Sequence, residues 1–250
     1  MTQIKPQTQG NTTPITHSLR AACSQCSLRE LCLPLGLSDG ELEHIDALIG
    51  ARKRIKRGQH LYSANEAFSA IYAIRSGFFK TCVTDEEGRD QVTGFQMAGE
   101  ILGMDGISND KHTCDAVALE DSEACIIPFN ELERLSTQIP SLQHHIHKVM
   151  SREIVRDHGV MMLLGTMRAE ERLAAFLLNL SQRLASRGYA AGDFHLRMMR
   201  EEIGSYLGLK LETVSRTFSK FQEEGLIQVQ QRHIRISDPA GLKRIMESCS

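Results

Sequence analysis

Three cysteines stand within ten residues near the start of the chain, in Ala22–Cys23–Ser24–Gln25–Cys26–Ser27–Leu28–Arg29–Glu30–Leu31–Cys32–Leu33–Pro34, spaced Cys-x2-Cys-x5-Cys. No other part of the 250-residue sequence concentrates its seven cysteines in this way. Thiolates so spaced can converge on one soft metal centre, because each intervening loop is long enough to turn back and short enough to stay ordered. Three ligands leave a position for a fourth from elsewhere, and spacing does not choose among Cys82, Cys114 and Cys125. Nor does it choose the metal, since four cysteines also satisfy tetrahedral zinc.

The second chemistry-bearing stretch is Met199–Phe218, in the C-terminal third. Ile203 and Leu207 form a short apolar face, Gly208 breaks the helix, and Val214, Phe218 and Phe221 face inward from a second helix. A β hairpin, Leu226–Val229 and His233–Ile236, follows and makes this a winged helix-turn-helix. Glu212, Ser215 and Arg216 share the outward face of the second helix at i, i+3 and i+4. Arg can take guanine O6 and N7 while Glu accepts from cytosine N4, so the pair could read both halves of one G·C pair. The same spacing also suits a surface Glu–Arg ion pair.

These residues need elements to hold them. Residues 1–20 are rich in Thr, Gln, Pro and Asn and read as a mobile arm. Ser38 is placed to cap a helix bearing Leu42, Ile45, Leu48 and Ile49. From Ile55 to about Ile127, short β-branched and aromatic runs alternate with glycine turns, an all-β sandwich or barrel pattern. The basic run Arg52–Arg57 at its entrance reads as a solvated face. A long helix spans roughly Leu142 to Met167, with Met150, Ile154, Asp157, Met161 and Leu164 at coiled-coil spacings. A second stripe, Val149, Val160, Leu163 and Met167, lets one face pack on its own domain while the other meets a second subunit. Asp157 interrupts the seam; two such carboxylates near a two-fold axis repel, which keeps a dimer marginal. His144, His145 and His147 point to different faces and read as surface or subunit-contact residues.

Composition sets outer bounds. The chain is long enough for two domains, and its 41% hydrophobic and 24% charged content is ordinary for a globular protein. Residues 168–250 carry 13 Lys+Arg against 10 Asp+Glu, and residues 1–167 carry 16 against 21, a mild asymmetry compatible with nucleic acid. With no apolar run near 20 residues and no signal-peptide core, the expectation is a cytoplasmic protein that does not enter membranes. An odd, clustered set of cysteines suits metal binding or redox sensing better than a secreted disulfide framework. There is no Walker motif, no His-rich metal spacing and no nucleophile with a placed base, so no enzyme and no small-molecule substrate are expected.

The layout resembles the cAMP-receptor-protein superfamily, and within it the FNR branch of anaerobic transcriptional regulators. Cys-x2-Cys-x5-Cys-x-Pro carries the resemblance, with Tyr-Ala-Ile-Arg-Ser-Gly at 72–77 and Ala-Glu-Glu-Arg-Leu-Ala-Ala-Phe at 169–176. Ile-Gly-x-Tyr-Leu-Gly-Leu at 203–209 and Glu-Thr-Val-Ser-Arg at 212–216 complete it. The resemblance implies an α+β fold: an N-terminal cyclic-nucleotide-binding-like jelly roll, a long dimerisation helix and a C-terminal winged helix-turn-helix. The expected divisions are 1–36 for the arm and cluster-binding segment, 37–140 for the β-roll, 141–167 for the dimerisation helix and 168–250 for the DNA-binding domain. It further implies a [4Fe–4S] cluster, convertible by oxygen to [2Fe–2S], on Cys23, Cys26, Cys32 and Cys125, leaving Cys82, Cys114 and Cys249 as ordinary thiols. Leu28, Leu31 and Leu33 would then limit oxygen access. The homodimer would read TTGAT-like inverted repeats through Glu212, Ser215 and Arg216, with RNA polymerase as a further partner.

Two departures narrow this. Gly99–Glu100 is present, but Lys111–His112–Thr113 stands where the cAMP-binding relatives carry an Arg-Ser/Thr pair, so no cAMP ligand is expected. Gln143 stands where an interhelical ion-pairing Arg would be, and loop Thr84–Gln91, with Arg89, supports no assigned polymerase contact. The alternatives are a zinc-stabilised regulator and a small-effector-gated one whose cysteines are incidental.

Overall fold

A computed structural model describes residues 26, 28, 32, 37–49 and 51–247. Cys23, Leu31, Leu33, Cys249 and the expected arm therefore lie outside the described residues.

Helix α1 (Asp39–Leu48) starts at a capping box, in which Ser38 and Glu41 satisfy each other's backbone amides, and it buries Leu42 and Ile45. Eight strands follow: β1 (Ala51–Ile55), β2 (His60–Tyr62), β3 (Ala70–Ser76), β4 (Phe78–Thr84), β5 (Asp90–Met97), β6 (Ile101–Leu102), β7 (Asp115–Ala118) and β8 (Ser122–Pro128). They form two four-stranded antiparallel sheets, ordered β1-β8-β3-β6 and β2-β7-β4-β5. Between them lie Ile55, Leu61, Tyr62, Ile74, Phe79, Leu102, Cys114 and Ala124. The period-2 alternation of β3 and β8 sends Ala73, Cys125 and Ile127 the other way, onto α1, helix α2 (Phe129–Gln138) and the start of helix α3 (Pro140–Thr166).

The basic run becomes β1 and is more engaged than a solvated face would be. Arg52 reaches Glu123 at 3.5 Å, and Lys53 donates to the Leu61 carbonyl at 2.7 Å. Helix α3 is 27 residues long and buries only Leu142.

Past a two-residue link, helix α4 (Ala169–Ala185) begins the C-terminal part. It carries strand β9 (Asp193–His195), helices α5 (Arg200–Leu207) and α6 (Leu211–Glu223), strands β10 (Ile227–Gln230) and β11 (His233–Ile236), and helix α7 (Pro239–Glu247). The wing has three strands, ordered β10-β11-β9; β9 was invisible in the sequence because only Phe194 of its three residues is buried. Ile203, Leu207, Val214, Phe218 and Phe221 fill one core with Leu173, Leu177 and, from the β-roll, Val92, Phe95 and Met97.

The α5–α6 turn depends on two glycines. Gly208 adopts the left-handed conformation at φ 62°, and the Leu209 amide closes back on the Gly204 carbonyl at 2.9 Å. A Cβ on Gly204 would lie 2.6 Å from the Leu209 carbonyl oxygen, a backbone atom that cannot swing aside. Gly204→Ala should therefore cost about 1–3 kcal/mol of stability, as overpacking does. Urea unfolding followed by circular dichroism measures this; an unchanged midpoint would mean that the turn can open without cost.

Candidate metal centre and nucleic-acid interface

Cys32 lies 113 residues before His145 of α3, yet it packs on the same core as Leu142, Ile146 and Cys125. Cys125 stands on β8 opposite Ala73 on β3 and opposite Arg52 on β1. Burial pushes the Cys32 thiol up to about 12, and the neighbouring thiols of Cys26 and Cys125 push in the same direction, against the Arg187 guanidinium. The Cys125 thiol is also raised, by burial first, with Arg52 and Arg75 opposing and Cys26 reinforcing. Cys32 and Cys125 thus share one core in which burial opposes ionisation of either thiol. Among the described residues no three His, Cys, Asp or Glu side chains are gathered tightly enough to hold a single metal ion, and Cys23 lies outside that set.

The other two described thiols point elsewhere. Cys114 lies within the β-roll core, its thiol raised to about 12 by burial and by Asp105; Cys82 is buried on β4. Spacing left three candidates for a fourth ligand, and strand alternation separates them: only Cys125 faces the layer where Cys32 sits. This donor set fits a soft cationic centre, which would relieve the mutual repulsion of the thiolates. Leu28, half-buried, flanks it, and the Cys32 amide bonds the Leu28 carbonyl at 3.1 Å.

His145 corrects the sequence expectation. His144 and His147 are exposed, but His145 is half-buried with Nε2 3.1 Å from the Cys32 carbonyl oxygen. A carbonyl only accepts, so Nε2 carries the proton. Burial holds this imidazole below its usual pKa, helped by Arg152 and Lys148. Helix α3 thereby contacts the cysteine segment directly. The available signal was its position three residues after the buried Leu142.

Glu100 has also acquired work that its motif did not announce. Its carboxylate receives Arg183 at 2.6 Å and Arg187 at 2.7 Å, with Arg156 of α3 at 3.8 Å. Despite deep burial, which raises it, these arginines hold its carboxyl below the usual range. Inside the β-roll, His112 stacks on Tyr62 at 3.8 Å, and both reach Asp105.

Met150, Ile154 and Met161 of α3 are exposed, Ile154 at 53% and Met161 at 61%, and Asp157 is exposed on the same stripe. Val155 and Met162, which the seam pattern omitted, are exposed beside them. The second stripe of Val149, Val160, Leu163 and Met167 lines a cleft of about 1260 Å³ that Arg183 and Arg187 also border.

On α6, Glu212 and Arg216 are exposed and Ser215 is half-buried, while Val214 and Phe218 anchor the opposite side. Among the described residues the ion pairs of α6 are those of Lys220 with Glu170 and Glu224; the Glu212–Arg216 pair that the spacing allowed is not made. Helix α5 is docked on the β-roll. Ser205 Oγ accepts from the Val92 amide at 2.8 Å, and Lys80 pairs with Glu202 at 2.8 Å. The face of α6 that carries Glu212 and Arg216 is left outside this contact.

The thiol environments can be tested on metal-free protein. At pH 8 a thiol with a pKa of about 12 offers on the order of a thousandfold less thiolate than an ordinary one. Alkylation followed by mass spectrometry should find Cys32 and Cys114 lagging by about that factor. Ordinary reactivity at Cys32 would mean that the thiols do not converge.

The comparisons with known proteins follow the same two halves. Residues 52–138 match the model of the cyclic nucleotide-binding domain, and residues 171–245 match that of the Crp-like helix-turn-helix domain. The chain is 52% identical to the transcriptional regulatory protein btr of Bordetella pertussis, over 92% of this chain and 96% of that one. It is 43% identical to the fumarate and nitrate reduction regulatory protein of Yersinia pestis, with 89% of each covered. The transcriptional activator protein Anr of Pseudomonas protegens is 42% identical over 89% of this chain and 91% of its own. Among solved structures, FixK2 from Bradyrhizobium japonicum superposes with a TM-score of 0.72 at 27% identity, over 78% of this chain and 96% of that one.

Proposed function

The chain belongs to the Crp/FNR family of transcription regulators, and on that premise we propose that it is an oxygen-responsive regulator whose dimerisation and DNA binding depend on a [4Fe–4S] cluster held by Cys23, Cys26, Cys32 and Cys125. The observation that carries this reading is that Cys32 and Cys125 pack on one core, with Cys125 turned out of the β-roll toward the cysteine segment. The names of relatives support it: a fumarate and nitrate reduction regulator, and an anaerobic regulatory protein of Pasteurella multocida that is 44% identical.

When bound, such a cluster would supply an iron–sulfur centre whose stability depends on oxygen. The chain's own residues do the rest. Cys23, Cys26, Cys32 and Cys125 would hold the cluster beside β8, Leu28 and Leu31 would restrict access to it, and His145 ties Cys32 to the first turns of α3. Further along, Met150, Ile154 and Met161 supply the apolar stripe by which two copies associate, and Asp157 weakens that association. A two-fold dimer sets two α6 helices into successive major grooves about one helical turn apart. There Arg216 and Glu212 read one G·C pair and Ser215 a neighbouring position, which matches TTGAT-like inverted repeats. RNA polymerase is the partner that such a regulator requires to act on transcription.

The decisive experiment is an operator gel shift on anaerobically prepared protein, before and after air, with iron and sulfide assayed on the same samples. Brown protein carrying iron and sulfide should shift the operator and release it in air. Colourless protein with one zinc would replace the cluster with a structural site, and binding that survives cluster loss would refute the coupling. Cys23→Ala that leaves regulation intact would favour a small effector instead.

Asp157 offers a separate test. Replacing it by Ala removes two facing carboxylates and should move the metal-free chain toward dimer by roughly tenfold, since 1.4 kcal/mol is tenfold in an equilibrium. Sedimentation equilibrium reads this; an unmoved equilibrium would place Asp157 outside the interface.

A further inference from the structure

The stretch at 169–176 marks the family but has so far received no task, and its Arg172 makes contacts that suggest one. The guanidinium donates from Nε to the Met167 carbonyl at 2.8 Å, from Nη2 to the Leu164 carbonyl at 2.8 Å and from Nη1 to the Leu207 carbonyl at 2.9 Å. Leu164 and Met167 close the C-terminal end of α3, the dimerisation helix of the proposed function, and Leu207 is the last residue of α5 in the helix-turn-helix. Terminal carbonyls of a helix have no amide partner within it, and they form the negative end of its dipole. One cation therefore closes the ends of two helices at once. Room is made for it at Gly208, where a Cβ would stand 3.2 Å from Arg172 Nη1 and 3.4 Å from Leu164 Cδ2.

The position matters as much as the bonds. Between α3 and α4 there is only Met167–Arg168, a place where the chain could flex and leave the DNA-reading helices at any angle to the dimer axis. Arg172, in the first turn of α4, spans that link and continues to the α5–α6 turn. A lysine could not replace it, because a single ammonium lacks the planar fork that meets three carbonyls in fixed directions.

We propose that Arg172 is a positioning residue: it fixes the angle between the dimerisation helix and the helix-turn-helix, so that a dimer presents its two α6 helices at one half-site spacing. It touches no base; its effect is geometric, and it rests on the reading of the chain as a dimeric DNA binder.

The test uses the full chain prepared anaerobically, as wild type, Arg172→Lys and Arg172→Gln. Affinities are measured for an inverted repeat at its natural spacing, for the same repeat with one base pair inserted between half-sites, and for a single half-site. An inserted pair turns one half-site by about a tenth of a helical turn relative to the other, which a rigid dimer must resist. The wild type should lose tenfold or more on insertion. The variants should bind the natural repeat about tenfold more weakly, lose less than threefold on insertion, and match the wild type on the single half-site. Sedimentation should find them as dimeric as the wild type. A folded, dimeric variant that keeps the full insertion penalty overturns the proposal, and so does one that loses the single half-site in proportion, because Arg172 would then act inside the reading unit. A wild type that binds both spacings alike overturns the dimeric reading itself, and this proposal with it.

Discussion

A helix of 27 residues that buries a single side chain cannot owe its stability to its own domain. Helices in proteins draw most of their stability from packing an apolar face, and α3 leaves Met150, Ile154, Val155, Met161 and Met162 in water. Within this chain its packing is concentrated at its two ends. At the N-terminal end Leu142 and Ile146 share a core with Cys32 and Cys125, and His145 bonds the Cys32 backbone. At the C-terminal end Arg172 closes its carbonyls onto the turn of the helix-turn-helix. The cysteine segment and the helix-turn-helix meet through this one helix.

Between those ends, Glu100 ties the middle of the molecule together. The carboxylate gathers Arg156 from α3, Arg183 from α4 and Arg187 just beyond α4. Removing it would leave three cations crowded in a half-buried place, which costs more than the ion pairs themselves return. Arg187 also sits near enough to Cys32 to oppose the upward shift of its thiol. The charge at the cysteine segment and the seat of α4 thus bear on the same guanidinium.

Much of this was legible in the residues, and the reasons are local. The Ser38 cap, the Gly208 break and the inward set Val214, Phe218 and Phe221 follow from rules that act within a few residues, and all three stand in the structure. Outward placement of Glu212, Ser215 and Arg216 followed from the same periodicity. What sequence could not separate was Cys125 from Cys82 and Cys114, because the face of a strand that meets a distant segment is decided by sheet order. His145, Arg172 and the Glu100 cluster were hidden for the same reason: each acts on groups 35 to 113 residues away. Strand β9 was too short and too polar to announce itself.

The family's β-roll takes its name from cyclic nucleotides, and in this chain the groups that mark such a pocket have other commitments. Glu100 is drawn toward the C-terminal part by its arginines, and the Tyr62–His112 stack with Asp105 occupies the interior beside β6. Meanwhile the outer face of the β1-β8-β3-β6 sheet carries Cys125, the one cysteine of the roll that faces the Cys32 segment. A contact made on that outer face needs no path through the roll to reach the long helix, since Cys32 and Cys125 share a core with Leu142 of α3.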